Sequence, residues 1–447
     1  MPGPPGPLYL LTAGQALELL QNNAITVEKY ARSLLQRINE RDGTVKAWVH
    51  LDRQQVLEQS KTLDHIPQGQ RGPLHGIAVG VKDVINTKDM PTQFGSPLYE
   101  GHQLGSDAST VAILRAAGAL ILGKTTTTEV SVTNSGPDTT SPHAPNRTPG
   151  GSSCGSAAAL PAYQVPLSLG SQTGGSLIRP ASFTRVFAMK PTHNVISPEG
   201  QKMVSPTFDT FGVMARSIED LQLVADIFGL QDGNADDPQS ATDIPLSDLS
   251  VAVVKSPMRH RAGPGTINAI KKAAAILKKS GCNVEEAVFP SSSSFPDEES
   301  LRRMQKVSMA GEARVAFLRE YRIDKTKLDS SICKLVENSD NITHQEQAQA
   351  LDTYGNLRAV ADSSAAKYSV ILTPSAVDEA PLGLHDMGSA AMNTLWTGLH
   401  MPVINIPAFV GAHGMPIEVS LVAGRFHDQG LIRVAKALSG PVVEEGG

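Results

Sequence analysis

Cysteine is scarce in this sequence, aromatic residues are few, and no long apolar run occurs. Three Cys in 447 residues, at 154, 282 and 333, cannot build a disulfide framework or a cysteine-ligated metal cluster. The expected compartment is therefore reducing and cytoplasmic. Aromatic residues make up 4% of the chain, too few for base-stacking platforms. Lys and Arg number 39 against 44 Asp and Glu, a net charge of −5, without the basic excess of a nucleic-acid binder. No stretch of about 18 or more apolar residues occurs, so nothing is expected to span a membrane. The start, Met1-Pro2-Gly3-Pro4-Pro5-Gly6-Pro7, lacks a basic n-region, and the end, Glu444-Glu445-Gly446-Gly447, matches no familiar retention signal. H-E-x-x-H and C-x-x-C are also absent, which leaves a zinc enzyme without support.

What is present is a 40% hydrophobic share, too high for wholesale disorder. At roughly 100–200 residues per domain the length allows two to four ordinary domains or one large one. Helical spacing of Ala16, Leu17, Leu19 and Leu20 after Thr12, and of Tyr30, Leu34, Leu35 and Ile38 after Thr26, predicts two capped helices. Ile77-Ala78-Val79-Gly80-Val81 reads as a buried strand ended by Lys82-Asp83. Ala108 to Ala117 reads as a helix, and Ala119 to Leu122 as the next strand. Residues 131–156 are loop, 157–163 helical, Leu167 to Leu169 strand, and 170–176 a Gly/Ser turn. Residues 229–248 are the best candidate boundary. A β-α-β pattern follows, with strands Val251 to Val254 and Val284 to Val288 around a helix bearing Ile267, Ile270, Ala274 and Leu277. Helices over 298–320 and 343–367, strands at 370–372 and 403–406, and a helix over 428–438 complete the reading. The expected fold class is α/β: one large domain over 1–447, a mixed twisted sheet between helical layers. Core motifs occupy 70–225, the half 250–440 completes the sheet, and a helical portion covers about 295–367.

Three motif matches fail for lack of structural context. Gly118-Ala119-Leu120-Ile121-Leu122-Gly123-Lys124-Thr125 fits the P-loop pattern, but its variable positions read as a buried strand, which cannot wrap a phosphate. Gly151-Ser152-Ser153-Cys154-Gly155 fits the nucleophile elbow, but the proline-rich approach from Ser141 to Pro149 excludes the strand that elbow needs. Ser331-Ile332-Cys333-Lys334 and Ser364-Ala365-Ala366-Lys367 both fit S-x-x-K inside expected helices, without partner motifs.

Two Gly-Gly-Ser turns carry more chemistry: Gly150-Gly151-Ser152-Ser153 and Thr173-Gly174-Gly175-Ser176. A serine beside consecutive free N–H groups resembles a nucleophile next to an oxyanion hole; two helix caps are the alternative. A serine nucleophile needs a base. The chain has 12 His, none in either turn, and His75, His143 and His193 read as structural or exposed. A lysine desolvated enough to be neutral would also serve. Lys82 follows an apolar run and stays open between that role and a surface lysine beside Asp83.

The motifs taken together resemble the amidase signature family. They are Gly76 to Asp83, Met90-Pro91-Thr92, Thr148 to Ser153, Thr173 to Ser176, Met189-Lys190-Pro191-Thr192, Leu372-Thr373-Pro374 and Pro402 to Pro407. Agreement runs from about 15 to 438. The resemblance implies a Ser-cisSer-Lys triad with Lys82 as base, Ser152 as bridging serine and Ser176 as nucleophile. It implies an oxyanion hole at Thr173, Gly174 and Gly175, with Ser153 and Ser171 in support. It also implies hydrolysis of linear carboxamide C–N bonds through an acyl-enzyme, with no metal or organic cofactor. Implied partners are a small amide substrate and, as oligomeric state, a monomer or homodimer, with no nucleic acid and no membrane. Several positions depart from the family pattern. Cys154 stands for a usual Gly, Gln172 for a common Asp, and Thr184-Arg185 for Cys-Gly. Arg179 lies three residues past Ser176, as in the malonamidase-like branch. There it either grips a substrate carboxylate or bonds loop carbonyls. Arg185 either caps a helix or narrows the pocket. Two other readings stand beside the free amidase: a component of a tRNA-dependent amidotransferase, and a catalytically silent relative acting as a binding protein.

Overall fold

The computed structural model describes residues 6–233, 244–290 and 295–446. Residues 234–243, half of the boundary expected at 229–248, and the ends of the N- and C-terminal readings lie outside those residues. No helix among the described residues is long and apolar enough to cross a membrane.

The strands are β1 (Trp48–His50), β2 (Ala78–Lys82), β3 (Leu120–Thr125), β4 (Leu167–Gln172), β5 (Phe187–Lys190) and β6 (Thr210–Ala215). They continue as β7 (Ser250–Lys255), β8 (Asn283–Val288), β9 (Val370–Pro374), β10 (Val403–Val410) and β11 (Pro416–Val422). All join one 11-stranded sheet in the order β1-β3-β2-β4-β6-β5-β10-β11-β9-β7-β8. Two parallel clusters, β3-β2-β4 and β9-β7-β8, are joined through an antiparallel centre. The α/β expectation of one mixed sheet flanked by helices therefore holds. β2 to β6 are buried along their whole length, so helices cover both faces of this part.

Local chemistry accounts for the helix starts. Thr12 forms a capping box with Gln15 at the head of Ala13–Gln21, and Thr26 caps Val27–Val45. The chain departs from expectation in several places. A helix begins at Cys154, not 157, and ends at Ala159; its first residues are small and carry no apolar period. β4 runs on through Gln172, so the second Gly/Ser turn starts only at Thr173. The helix expected over 298–320 divides into Glu298–Ala316 and Leu318–Asp324. β1, β5, β6 and β11 had no expectation; the last three are buried runs that lack the alternation marking a half-exposed strand.

Candidate active site

β2 and β4 are parallel neighbours, with Val81 opposite Leu169. Their carboxyl ends therefore bring Lys82 and Ser171 together. Lys82 Nζ donates to Ser171 Oγ at 2.9 Å and to Ser152 Oγ at 2.7 Å. Asp83, its sequence neighbour, turns away: it pairs with the equally buried Lys124 of β3 at 3.1 Å. Lys124 also donates to Ile85 O and Thr92 Oγ1, so the P-loop lookalike is a strand with a buried ion pair. The surface reading of Lys82 is thus replaced by complete burial between two hydroxyls. Burial without a paired carboxylate lowers its pKa from 10.5 to about 7; Cys154 and Asp209 pull it upward and Arg179 pushes it down.

Ser152 and Ser153 come from the loop ahead of the helix Cys154–Ala159, and the Gly151–Ser152 peptide is cis. Ser153 donates its backbone N–H to Ser176 O at 3.2 Å, which ties the two Gly-Gly-Ser turns together. Its hydroxyl lies 3.4 Å from both the N–H and the carbonyl of Ser171. Exposure rises along the expected proton path, 0% at Lys82, 2% at Ser152 and 8% at Ser176. The Ser176 hydroxyl makes no hydrogen bond among the described residues, and neither do the backbone N–H groups of Thr173, Gly174, Gly175 and Ser176. A hydroxyl and a row of free donors thus share one turn. A Cβ on Gly175 would come within 3.1 Å of Ala390 Cβ and Asn393 Nδ2, so the turn lies close against the segment Ala390–Gly398.

Gln172 keeps this turn in shape. Its side-chain oxygen accepts from the N–H groups of Leu177 and Ile178 at 3.0 Å each, heading the helix Ile178–Thr184. Its amide nitrogen donates to Thr397, whose hydroxyl reaches Gly174 O at 2.9 Å. An aspartate could supply the first contact but not the second.

Arg179 is buried, and its guanidinium donates to Gly151 O and Gly388 O, both at 2.5 Å. Of the two roles open in the sequence, this geometry is that of the arginine bonding loop carbonyls. Arg185 adopts a left-handed conformation, φ 60°, at the C-cap of Ile178–Thr184 and donates its N–H to Ala181 O, so it caps a helix. Cys154 is buried against Met387, and burial pushes its thiol up to about 12, away from a reactive thiolate. His143 and His193 bond the backbone carbonyls of Thr184 and Pro206.

Sequence reasoning missed Asp209. Its buried carboxylate accepts from the Thr173 hydroxyl and from the N–H groups of Val204 and Ser205. The available signal was a lone acid between Phe208 and Phe211 at the entrance to β6. No group of three or more His, Cys, Asp or Glu able to hold a metal occurs among the described residues.

In architecture the chain sits with the amidases. A solved structure described as "Crystal structure of amidase" superposes with a TM-score of 0.83 at 25% identity, covering 98% of this chain and all of that one. The Amidase family model matches residues 29–432, and the chain belongs to that family. Similar curated proteins include a Glutamyl-tRNA(Gln) amidotransferase subunit of Salinispora arenicola, 34% identical over 63% of this chain and 62% of that one. The same subunit of Thermus thermophilus is 37% identical over 58% and 56%. The chain spans about three fifths of the length of these relatives.

Proposed function

We propose that this protein hydrolyses the C–N bond of a carboxamide through an acyl-enzyme on Ser176. The observation that carries the reading is Lys82: fully buried, unpaired with any carboxylate, and 2.7 Å from the Ser152 hydroxyl. With a pKa of about 7 a large share of it is neutral at neutral pH and able to take a proton. Lys82 removes the Ser152 proton as Ser152 removes that of Ser176, and Ser176 Oγ attacks the amide carbonyl carbon. The free N–H groups of the 173–176 turn face the developing oxyanion. Ser152 passes a proton to the departing nitrogen and recovers one from Lys82, so ammonia or an amine leaves. Water then attacks the ester, with the same relay taking its proton, and releases the carboxylic acid and Ser176. Ser171 and Ser153 orient Lys82 and the bridging serine. Arg179, engaged on two carbonyls, holds the Ser152 loop, and no substrate carboxylate is required.

The test is turnover of a panel of simple amides, with and without a carboxylate, by wild type, Ser176→Ala and Arg179→Ala. Loss of turnover in Ser176→Ala is expected; full retention would remove the nucleophile assignment. A loss in Arg179→Ala confined to carboxylate-bearing amides would restore the clamp. The names of the Salinispora and Thermus relatives favour a second reading, a component of a tRNA-dependent amidotransferase. The mild acidic balance favours the free enzyme. Turnover of amides by the purified chain alone, running as a monomer or homodimer, separates the two.

A further inference from the structure

We propose that Asp209 is a positioning residue that fixes the oxyanion turn to the helix Glu298–Ala316 through the loop 204–207. The proposal rests on the reading of 173–176 as the oxyanion turn. Asp209 heads β6, which pairs with β4 so that Gln172 lies opposite Thr210. The carboxylate is thereby set directly beside Thr173, the residue that opens the turn. One oxygen accepts from the Thr173 hydroxyl; the other accepts from Val204 N at 2.5 Å and Ser205 N at 3.1 Å. Burying a carboxylate is costly, and three converging donors are what hold it in place.

The loop is gripped from its far side as well. Glu312 accepts from the Ser205 hydroxyl, from the Thr207 hydroxyl at 2.5 Å and from Thr207 N at 3.2 Å. The helix that carries Glu312 also carries Gln305, whose amide nitrogen lies 3.7 Å from the position of a Cβ on Gly174. Helix, loop, Asp209 and turn thus close a ring. Thr173 is bound at one end of the turn, and Thr397 holds Gly174 O at 2.9 Å. With its carbonyl and side-chain anchors fixed, the turn is held while the N–H groups of 173–176 make no hydrogen bond among the described residues. Freeing Thr173 lets the turn rotate, and oxyanion donors lose their effect on small displacements.

Asp209 also acts on the base at longer range. Burial raises its own pKa to about 6, so it is mostly ionised above neutrality, and its charge favours the protonated form of Lys82. The other groups acting on Lys82 are Cys154 and Arg179, and both remain in the variants below.

The experiment compares Thr173→Val, Thr173→Ser and Asp209→Asn with wild type for kcat, KM, the pH–rate profile and thermal unfolding. Thr173→Val deletes only the hydroxyl that Asp209 receives. It should lower kcat about tenfold or more with KM little changed, as expected for a group serving the transition state. Thr173→Ser should recover most of kcat. Asp209→Asn should lower kcat and move the acid limb of the profile to lower pH; Thr173→Val, which removes one of the bonds that lower the Asp209 pKa, should move that limb the same way by a smaller amount. Wild-type kcat in a folded Thr173→Val, or a loss that Thr173→Ser does not recover, overturns the proposal. If Asp209→Asn fails to fold, the Thr173 pair still decides. Hydrolysis by Ser176→Ala would instead overturn the functional reading itself, so the two failures are distinguishable.

Discussion

Replacing Lys82 by Met tests the neutral-base reasoning through stability as well as activity. A folded-state pKa near 7 against an ordinary 10.5 means that the native protein binds fewer protons than the unfolded chain between those values. Stability therefore rises with pH across that window, and the penalty for burying the lysine is fully present below it. Each tenfold loss of proton affinity corresponds to about 1.4 kcal/mol, so the penalty is about 4 kcal/mol at pH 7 and about 2 kcal/mol at pH 9. Met has nearly the same length and no charge, so the variant escapes the penalty at both pH values. It also loses the bonds to Ser152 and Ser171, worth about 1 kcal/mol each at either pH. The variant should thus be inactive on amides, yet about 2 kcal/mol more stable than wild type at pH 7 and roughly equal to it at pH 9. Urea unfolding of both proteins at the two pH values measures the difference. Lys124, Lys190 and Asp209 titrate in both proteins and cancel to first order. A stability difference that does not change with pH would mean that Lys82 keeps an ordinary pKa, and the proposed base would be lost with it.

Further predictions concern neighbours of the site and the glycines around it. Arg179 lowers the Lys82 pKa by repulsion, so Arg179→Met should move the acid limb of the pH–rate profile upward; a limb that stays in place or moves down refutes the coupling. Gly155→Ala places a Cβ 2.1 Å from Ala47 O and 2.5 Å from Thr126 N, backbone atoms that cannot swing aside. It should cost about 3 kcal/mol or more. Gly43→Ala, inside the helix Val27–Val45 with nothing within 4 Å, should gain about 0.5–1 kcal/mol. Thermal melts of the two variants check both signs.

Lys82 shows where sequence reasoning reaches its limit. The apolar run 77–81 identifies the strand, but whether the lysine at its end is buried depends on β4 and the 150–153 loop, which lie some 70–90 residues on. The adjacent Asp83 misleads because successive side chains of a strand leave on opposite faces, and its partner is on β3. Arg179 was ambiguous because the carbonyls it binds belong to Gly151 and Gly388, and the second is 209 residues away in sequence. The Gly-Gly-Ser turns were legible because the backbone there needs particular residues locally. Asp209 was not, because its role arises only from the pairing of β4 with β6. β11 opens with Pro416 and buries Glu418, both of which disguise a central strand.

The sheet order has a consequence for synthesis of the chain. β5 pairs with β6 on one side and with β10, at Val403 to Asn405, on the other. On the ribosome the first six strands can assemble among themselves, but Phe187–Lys190 must wait for a partner roughly 210 residues downstream, or about 10–40 s at ordinary elongation rates. For that interval a nascent half-sheet presents a buried-type edge, rich in unpaired backbone groups, to other nascent chains. Slowing translation between the two halves should therefore promote aggregation of this protein, and faster delivery of β10 should suppress it.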